Sequence, residues 1–223
     1  MFSISKSLLK GLALGALCVS TLSTFAHAEV FFYEDRDERF SLTFPDTWKR
    51  INNQEPDDHI VIAAPGSNDF ATCRVRVRKD KRFVIYPGKF DSDIQKVAYS
   101  RKFWDTYLGD YNNVFIDTFK DYSGLGRGHA SMAEASYETA EGTLVRKRAV
   151  MFASLYHDRA YIAECSAEET VFDKWHPAFL SVIKSIDFSE VRHPRLRGHY
   201  RRFNNKHEEV KVLGPKELDT HKF

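Results

Sequence analysis

The residues best equipped for recognition are clustered cations. Arg192, Arg195, Arg197, Arg201 and Arg202 lie among His193, His199, Tyr200 and Phe203 in a stretch, residues 192 to 203, that contains no acid. Such a mixture suits phosphate groups, because each basic contact adds a salt-sensitive increment and aromatic rings stack on bases. A second set is Arg74, Arg76 and Arg78. They alternate with Cys73, Val75 and Val77, which puts three guanidinium groups on one face of a single strand. That face is either a secondary site for an anionic partner or a solvated surface paired across strands with acids such as Glu134, Glu138 and Glu141. Each such pair contributes only a few tenths of a kcal/mol. Arg146, Lys147 and Arg148 crowd another strand, open to the same two readings with the same acids.

Catalytic patterns are weaker. His129, Glu134, Asp158 and Ser166 are of the types a hydrolase needs, and nucleophile, base and orienting acid can stand far apart in sequence. His193, His199 and His207 are spaced by six and eight residues, with no cysteine or close acidic pair, whereas a structural zinc site wants four ligands at short paired spacings. No metal or other cofactor is therefore expected. Ser123 to Gly128 carries three alternating glycines, but a phosphate loop needs a strand before it and a helix after it. Here a strand pattern follows, so the segment reads as a flexible entry into a strand.

The chain's beginning bears on compartment. Lys6 and Lys10 precede an apolar run from Gly11 to Leu22, and Ala26-His27-Ala28 supplies small residues at its end. This is the plan of a cleavable secretory signal. The run is short of the roughly 20 residues a membrane helix needs, and no later segment approaches that length. Cleavage is expected after Ala28, so N-terminal sequencing of exported protein should begin at Glu29; membrane-bound material that keeps Met1 would contradict it. Leu17 before Cys18 is too large for lipoprotein processing. The remaining cysteines, Cys73 and Cys165, have one intramolecular connectivity, and an oxidising compartment favours a disulfide between them. Closing a loop of about 90 residues should stabilise the fold by roughly 4 kcal/mol. For an exported protein, nucleic acid is not the partner to expect, and anionic lipid, lipopolysaccharide or an envelope protein fits better.

The chain of 223 residues holds 33 Lys+Arg and 31 Asp+Glu, with 43% hydrophobic residues, which excludes a disordered or collagen-like protein. Residues 29 to 188 carry 22 bases and 26 acids, and residues 189 to 223 carry nine and five, so only the tail leans toward anionic partners. Strand patterns cover Phe40 to Phe44, His59 to Ala64, and residues 71 to 79, with Arg82 to Tyr86 continuing in the same style. A helix spans 92 to 108, opened by a Ser92 to Gln95 capping box and stopped at Gly109, with Ile94, Val97, Ala98, Trp104, Tyr107 and Leu108 on its apolar face. Strands return at Asn113 to Phe119, Arg127 to Ala140, Thr143 to Tyr156 and Arg159 to Ser166, joined by tight turns at Glu141-Gly142 and His157-Asp158. A last helix carries Trp175, Phe179, Val182, Ile183 and Ile186, with Pro177 in its first turn. The fold class is α+β: an antiparallel sheet of about seven strands flanked by helices, with a flexible basic C-terminal tail. The domains are a leader at 1 to 28, a folded body at 29 to 188 and the tail at 189 to 223.

Phe40-Ser41-Leu42-Thr43-Phe44-Pro45-Asp46-Thr47-Trp48 resembles the opening signature of PsbP-like and DcrB-like domains, the Mog-type group. Trp175, Phe179, Leu180, Ile183, Ser185, Ile186 and Phe188 resemble that group's final helix and short strand. The likeness, with Arg159-Ala160-Tyr161-Ile162 between, spans most of residues 30 to 188. It implies a sheet flanked by helices that serves as a scaffold or binding module, usually without catalysis. The paired cysteines and the basic tail are outside the pattern. The expectation is an exported, non-catalytic binding or scaffold protein of the bacterial cell envelope, docking a protein or anionic envelope component; the alternative is an exported hydrolase built from the dispersed residues above.

Overall fold

A computed structural model describes residues 29 to 190 except 54, 67, 87 to 89 and 140 to 143, and leaves the side chain of Phe83 aside. Two antiparallel sheets form. The larger has seven strands in the order β3-β4-β5-β9-β8-β7-β6: β3 Lys49–Ile51, β4 Asp58–Ala63, β5 Thr72–Lys79, β6 Asn112–Leu125, β7 Gly128–Glu138, β8 Arg146–Tyr156 and β9 Arg159–Glu168. The smaller consists of β1 Val30–Asp35, β2 Phe40–Pro45 and β10 Asp187–Phe188, in the order β1-β2-β10. The expected α+β sheet of seven strands is present, and the Phe40 to Phe44 strand belongs to the second sheet.

The pleat of the large sheet sends alternate residues to two cores. Cys73, Val75 and Val77 of β5 and Tyr161, Ala163 and Cys165 of β9 face the small sheet and helix α4, Phe172–Lys184. Ala149, Met151, Ala153, Ala160 and Ile162 face helices α2, Asp91–Ala98, and α3, Arg101–Tyr107. The two segments that carry the family resemblance meet in the first core. Trp48 packs edge-on against Trp175 and Phe179, with centroids 5.9 and 6.1 Å apart, and Phe188 stacks on Tyr161 at 4.1 Å.

The pairing of β5 with β9 is the seam of the molecule. It joins the N-terminal strands to the β6 to β9 meander, and Cys73 stands directly opposite Cys165 in its register. Their sulfurs are bonded at 2.01 Å, so the expected disulfide is present.

Several local expectations change. Arg82 to Tyr86 does not extend a strand: Arg82–Ile85 forms a helical turn, α1, because the Asp80 carboxylate accepts the Arg82 backbone N–H and Ile85 N–H reaches the Lys81 carbonyl. The single helix over 92 to 108 is two, broken where Ser100 turns extended after the buried Tyr99. Gln95 is no capping residue. It is buried, donates to the Ala153 carbonyl at 2.9 Å and accepts from Leu155 N–H at 2.7 Å, fixing α2 to β8, while Val97 of the expected apolar face is 80% exposed. Pro177 lies inside α4, which already begins at Phe172. The glycine segment is a hairpin: β6 runs to Leu125, Gly126 turns with φ 55°, and β7 starts at Gly128, where a Cβ would sit 2.3 Å from Ser154 Oγ. The His157-Asp158 turn is as expected, and Glu141-Gly142 lies outside the described residues.

Candidate functional site

Beside α3, the face of the large sheet opposite the disulfide opens into a cleft of about 1260 Å³. Its floor begins with β5, where the strand alternation places Arg74, Arg76 and Arg78 on this side. Arg74 stands opposite Glu164 in the β5 to β9 register and grips it with two hydrogen bonds, Nε to Oε2 at 3.0 Å and Nη2 to Oε1 at 2.9 Å. Three tyrosines complete the arrangement. Tyr107 of α3 donates to Glu164 Oε2 at 2.7 Å, Tyr137 of β7 donates to Oε1 at 3.0 Å, and the Tyr111 hydroxyl accepts from Arg74 at 2.9 Å while its ring stacks on Tyr137 at 4.2 Å.

Electrostatics follow from this geometry. Burial pushes the Glu164 carboxyl up, but Arg74, the Tyr107 hydroxyl and Arg76 outweigh it and hold its pKa below the ordinary value. Burial pushes Tyr107 and Tyr137 well up, and the Glu164 charge adds to it. These hydroxyls therefore stay protonated as donors. The floor is a fully partnered network around one buried carboxylate, and Glu164 has no lone pair to spare for general-base work.

The other arginines are also partnered. Arg76 donates from Nε to Asp58 at 3.0 Å and lies over the Tyr107 ring, and Arg78 binds Asp57 at 2.5 Å. Of the two basic runs, the cross-strand acids named from sequence serve the second, not these three arginines. Glu134 and Glu138 pair instead with Arg148 and Arg146, at 3.1 and 3.6 Å, on the opposite face, and Glu141 lies outside the described residues. The pleat splits the 146 to 148 run, so Lys147 alone enters the cleft.

The residues named for a hydrolase are not brought together. His129 stands level with Ala160 through Leu155, six residues from Ser166 along β9, which is roughly 20 Å at about 3.4 Å per residue. Glu134 shares the opposite face with Cys165. Asp158, in the β8 to β9 turn, accepts hydrogen bonds from Arg39 and Arg159 and contacts His157. Only Ser166 lines the cleft. Arg192, Arg195, Arg197, Arg201, Arg202 and the tail histidines lie outside the described residues, and among those described no group of three metal-ligating side chains converges.

His129 has a structural consequence. Burial, helped by Lys96, lowers its pKa to about 4, so the folded ring is neutral while the unfolded chain takes up a proton below 6.5. The stability this contributes is complete above 6.5 and is lost as pH falls through about 4. His129→Gln should flatten the dependence of the urea midpoint on pH between those values; an unchanged slope would refute the assignment.

No family model matches the chain, and no curated protein matches it. Cyanobacterial PsbP (CyanoP) from Synechocystis sp. PCC 6803 superposes with a TM-score of 0.51 at 11% identity, covering 76% of this chain and 98% of that one. The chain has the PsbP-like fold. LpqN of Mycobacterium tuberculosis, described as involved in cell envelope biogenesis, gives 0.46 at 12% identity over 74% of this chain and 92% of that one. PA94 of Pseudomonas aeruginosa, described as a putative regulator, gives 0.38 at 10% identity over 75% and 99%. Within the PsbP-like fold of this chain, the sequence signal for the cleft was the alternation of Arg74, Arg76 and Arg78. Tyr107 reads in the sequence only as part of an apolar helix face, and Tyr111 and Tyr137 carry no signal. A lone acid in the apolar strand Ala160 to Ala167 was the clue to Glu164, since it must find a cation to be buried there.

Proposed function

We propose that the protein is an exported, non-catalytic binding or scaffold protein of the bacterial cell envelope, and that the cleft over β5 and β9 is its receptor surface. The observation that carries this reading is the Glu164 network. It fixes the cleft floor in one arrangement by mutual hydrogen bonds, which is the preorganisation a receptor needs, and commits each of its hydroxyls to a partner. The core disulfide supports an oxidising compartment, in keeping with the leader at residues 1 to 28. Among the described residues no helix is long and apolar enough to cross a membrane.

The test is crosslinking and affinity recovery of the mature protein from its own cell envelope, beside Thr106→Arg. Thr106 is exposed on α3 at the cleft wall, so the longer side chain obstructs the cleft with little cost to stability. Recovery that Thr106→Arg abolishes supports the cleft. Recovery that it leaves intact moves the site elsewhere, and turnover of a generic ester substrate by the wild type but not by Ser166→Ala would favour a hydrolase.

The basic tail makes a separate contribution in this reading, as an electrostatic arm for anionic lipid or lipopolysaccharide. Truncation after Glu190 keeps Phe188 in the core and the Ser189 N–H bonded to the Arg39 carbonyl at 2.9 Å. The melting temperature should stay nearly unchanged. Binding to anionic liposomes should weaken, and full-length binding should fade between low and physiological salt as screening shortens the field. A large drop in melting temperature would make the tail packed structure. Binding that survives truncation would point to α1, where Val84, Ile85 and Tyr86 are at least half exposed beside the exposed Lys79, Lys81 and Arg82.

A further inference from the structure

Among the described residues, the floor network leaves Lys147 in the cleft without a counter-ion. Lys147 stands between Tyr137 of β7 and Glu168 of β9 in the register. Its Nζ reaches Ser166 Oγ at 3.4 Å, and among the described residues no carboxylate lies within ion-pair distance of it. The nearby acids face other donors. Glu164 is saturated by Arg74, Tyr107 and Tyr137, and Glu168 accepts from Thr170 Oγ1 at 2.8 Å. Of the other acids lining the cleft, Asp57 is held by Arg78 at the far end of β5, and Glu55 adjoins it two residues earlier. Asp110 lies at the exposed rim.

Arg74 adds a second positive charge to the field at Lys147. Desolvation lowers the Lys147 pKa, Glu164 opposes this and Arg74 reinforces it. An ammonium group drawn partly out of water, with one hydroxyl and no carboxylate beside it among the described residues, is held at a free-energy cost, which a bound anion relieves. The surroundings suit one. Ser166 stands beside the lysine and Thr72 opposite Ser166, one strand further, so two hydroxyls lie at this end of the cleft, and the cleft gives access from solvent.

We infer that the Lys147 end of the cleft binds an oxyanion, the carboxylate or phosphate group of an envelope component, with Lys147 as the point charge and Ser166 and Thr72 as hydroxyl donors. The ligand's origin rests on the binding function proposed above; the site itself rests on the isolated lysine. An anion here also reaches the Arg74 field without displacing Glu164.

The experiment is an amide NMR titration of the mature chain with inorganic phosphate and, separately, with acetate, against sodium chloride at matched ionic strength. Saturable shifts at Lys147, Thr72 and Ser166 are expected with at least one of the two, and the responding arm tells phosphate from carboxylate. Lys147→Met should weaken binding by about tenfold or more, as for a lost charge-assisted hydrogen bond, while Lys147→Arg, which keeps the charge, should retain most of it. Equal affinity in Lys147→Met, or shifts that follow chloride as closely as phosphate and acetate, would overturn the inference. A partner recovered equally by Lys147→Met and wild type would remove the anchor and leave the binding function standing. Phosphate or acetate binding lost in Lys147→Met, with no envelope partner recovered, would do the reverse.

Discussion

Replacing either Cys73 or Cys165 by alanine is expected to lower the free energy of unfolding by about 4 to 5 kcal/mol, the chain-entropy value for a crosslink closing a separation of 92 residues. The two single variants and the double variant should lose similar amounts, because each removes the same bond. Serine variants should lose somewhat more, since positions 4% and 1% exposed leave a hydroxyl in an apolar core. Urea unfolding checks the magnitudes, and non-reducing peptide mapping checks the bond. Two alkylatable thiols in the native exported protein, or a midpoint unmoved by reduction, would end the claim. The effect is large because of where the bond lies. The seam between β5 and β9 is the long-range pairing that joins the N-terminal strands to the meander.

The elements most legible in the sequence were those with a clean period. Phe40, Leu42 and Phe44 alternate and are all buried, and Phe179, Val182 and Ile183 share a face of α4 that packs on the sheet, with the buried Ile186 just past the helix end. The pattern failed where one polar side chain did a tertiary job. Gln95 was assigned to a helix cap by its spacing from Ser92, yet two backbone groups of β8 claim it, and the helix turns to deliver it. Tyr99 and Ser100 divide what reads as one helical period, because the period of apolar residues cannot register a change of axis between two short helices. Arg82 to Ile85 was misread for the complementary reason: its residues suit a strand, and the neighbouring Asp80 carboxylate closes the turn.

The cleft was less legible, and the reason is geometric. Alternation announces which residues of β5 share a face, but it does not say which strand pairs with β5. Arg74 therefore found Glu164, 90 residues away and directly opposite, in place of the glutamates on β7. The three tyrosines come from α3, the turn before β6, and β7. Nothing in their spacing foretells that convergence, because it is set by the β9-β8-β7 strand order and by the placement of α3. Lys147 was visible only as the middle member of a basic run, and the pleat alone separates it from Arg146 and Arg148.

Glu164→Gln is the second substitution expected to have a large effect, about 3 to 5 kcal/mol, the cost of breaking a buried ion pair by removing one partner. Glu164 is 2% exposed, and the side chain of Arg74 is 12% exposed, so the guanidinium left behind has little water to turn to. The Tyr107 and Tyr137 hydroxyls would share a weaker acceptor, which loosens α3 over the cleft. Arg74→Met should cost a similar amount, because it leaves the carboxylate uncompensated. The double variant Arg74→Met with Glu164→Leu should recover only part of the loss: it leaves no uncompensated buried charge, but it takes away the acceptor of the Tyr107 and Tyr137 hydroxyls. Acid provides an independent check. The folded pKa of Glu164 lies below its ordinary 4.5, so its contribution is complete above that value and is lost as pH falls below it through the folded pKa. The Glu164→Gln protein should therefore be less stable near neutrality and show a shallower loss in that acid window. A variant whose stability falls below pH 4.5 in parallel with the wild type would show that the carboxylate is not what the fold loses there. A variant as stable as the wild type at neutral pH would mean that Arg74 finds solvent in the cleft. The floor would then be a hydrated surface, with Arg74 and Lys147 both open to an incoming anion.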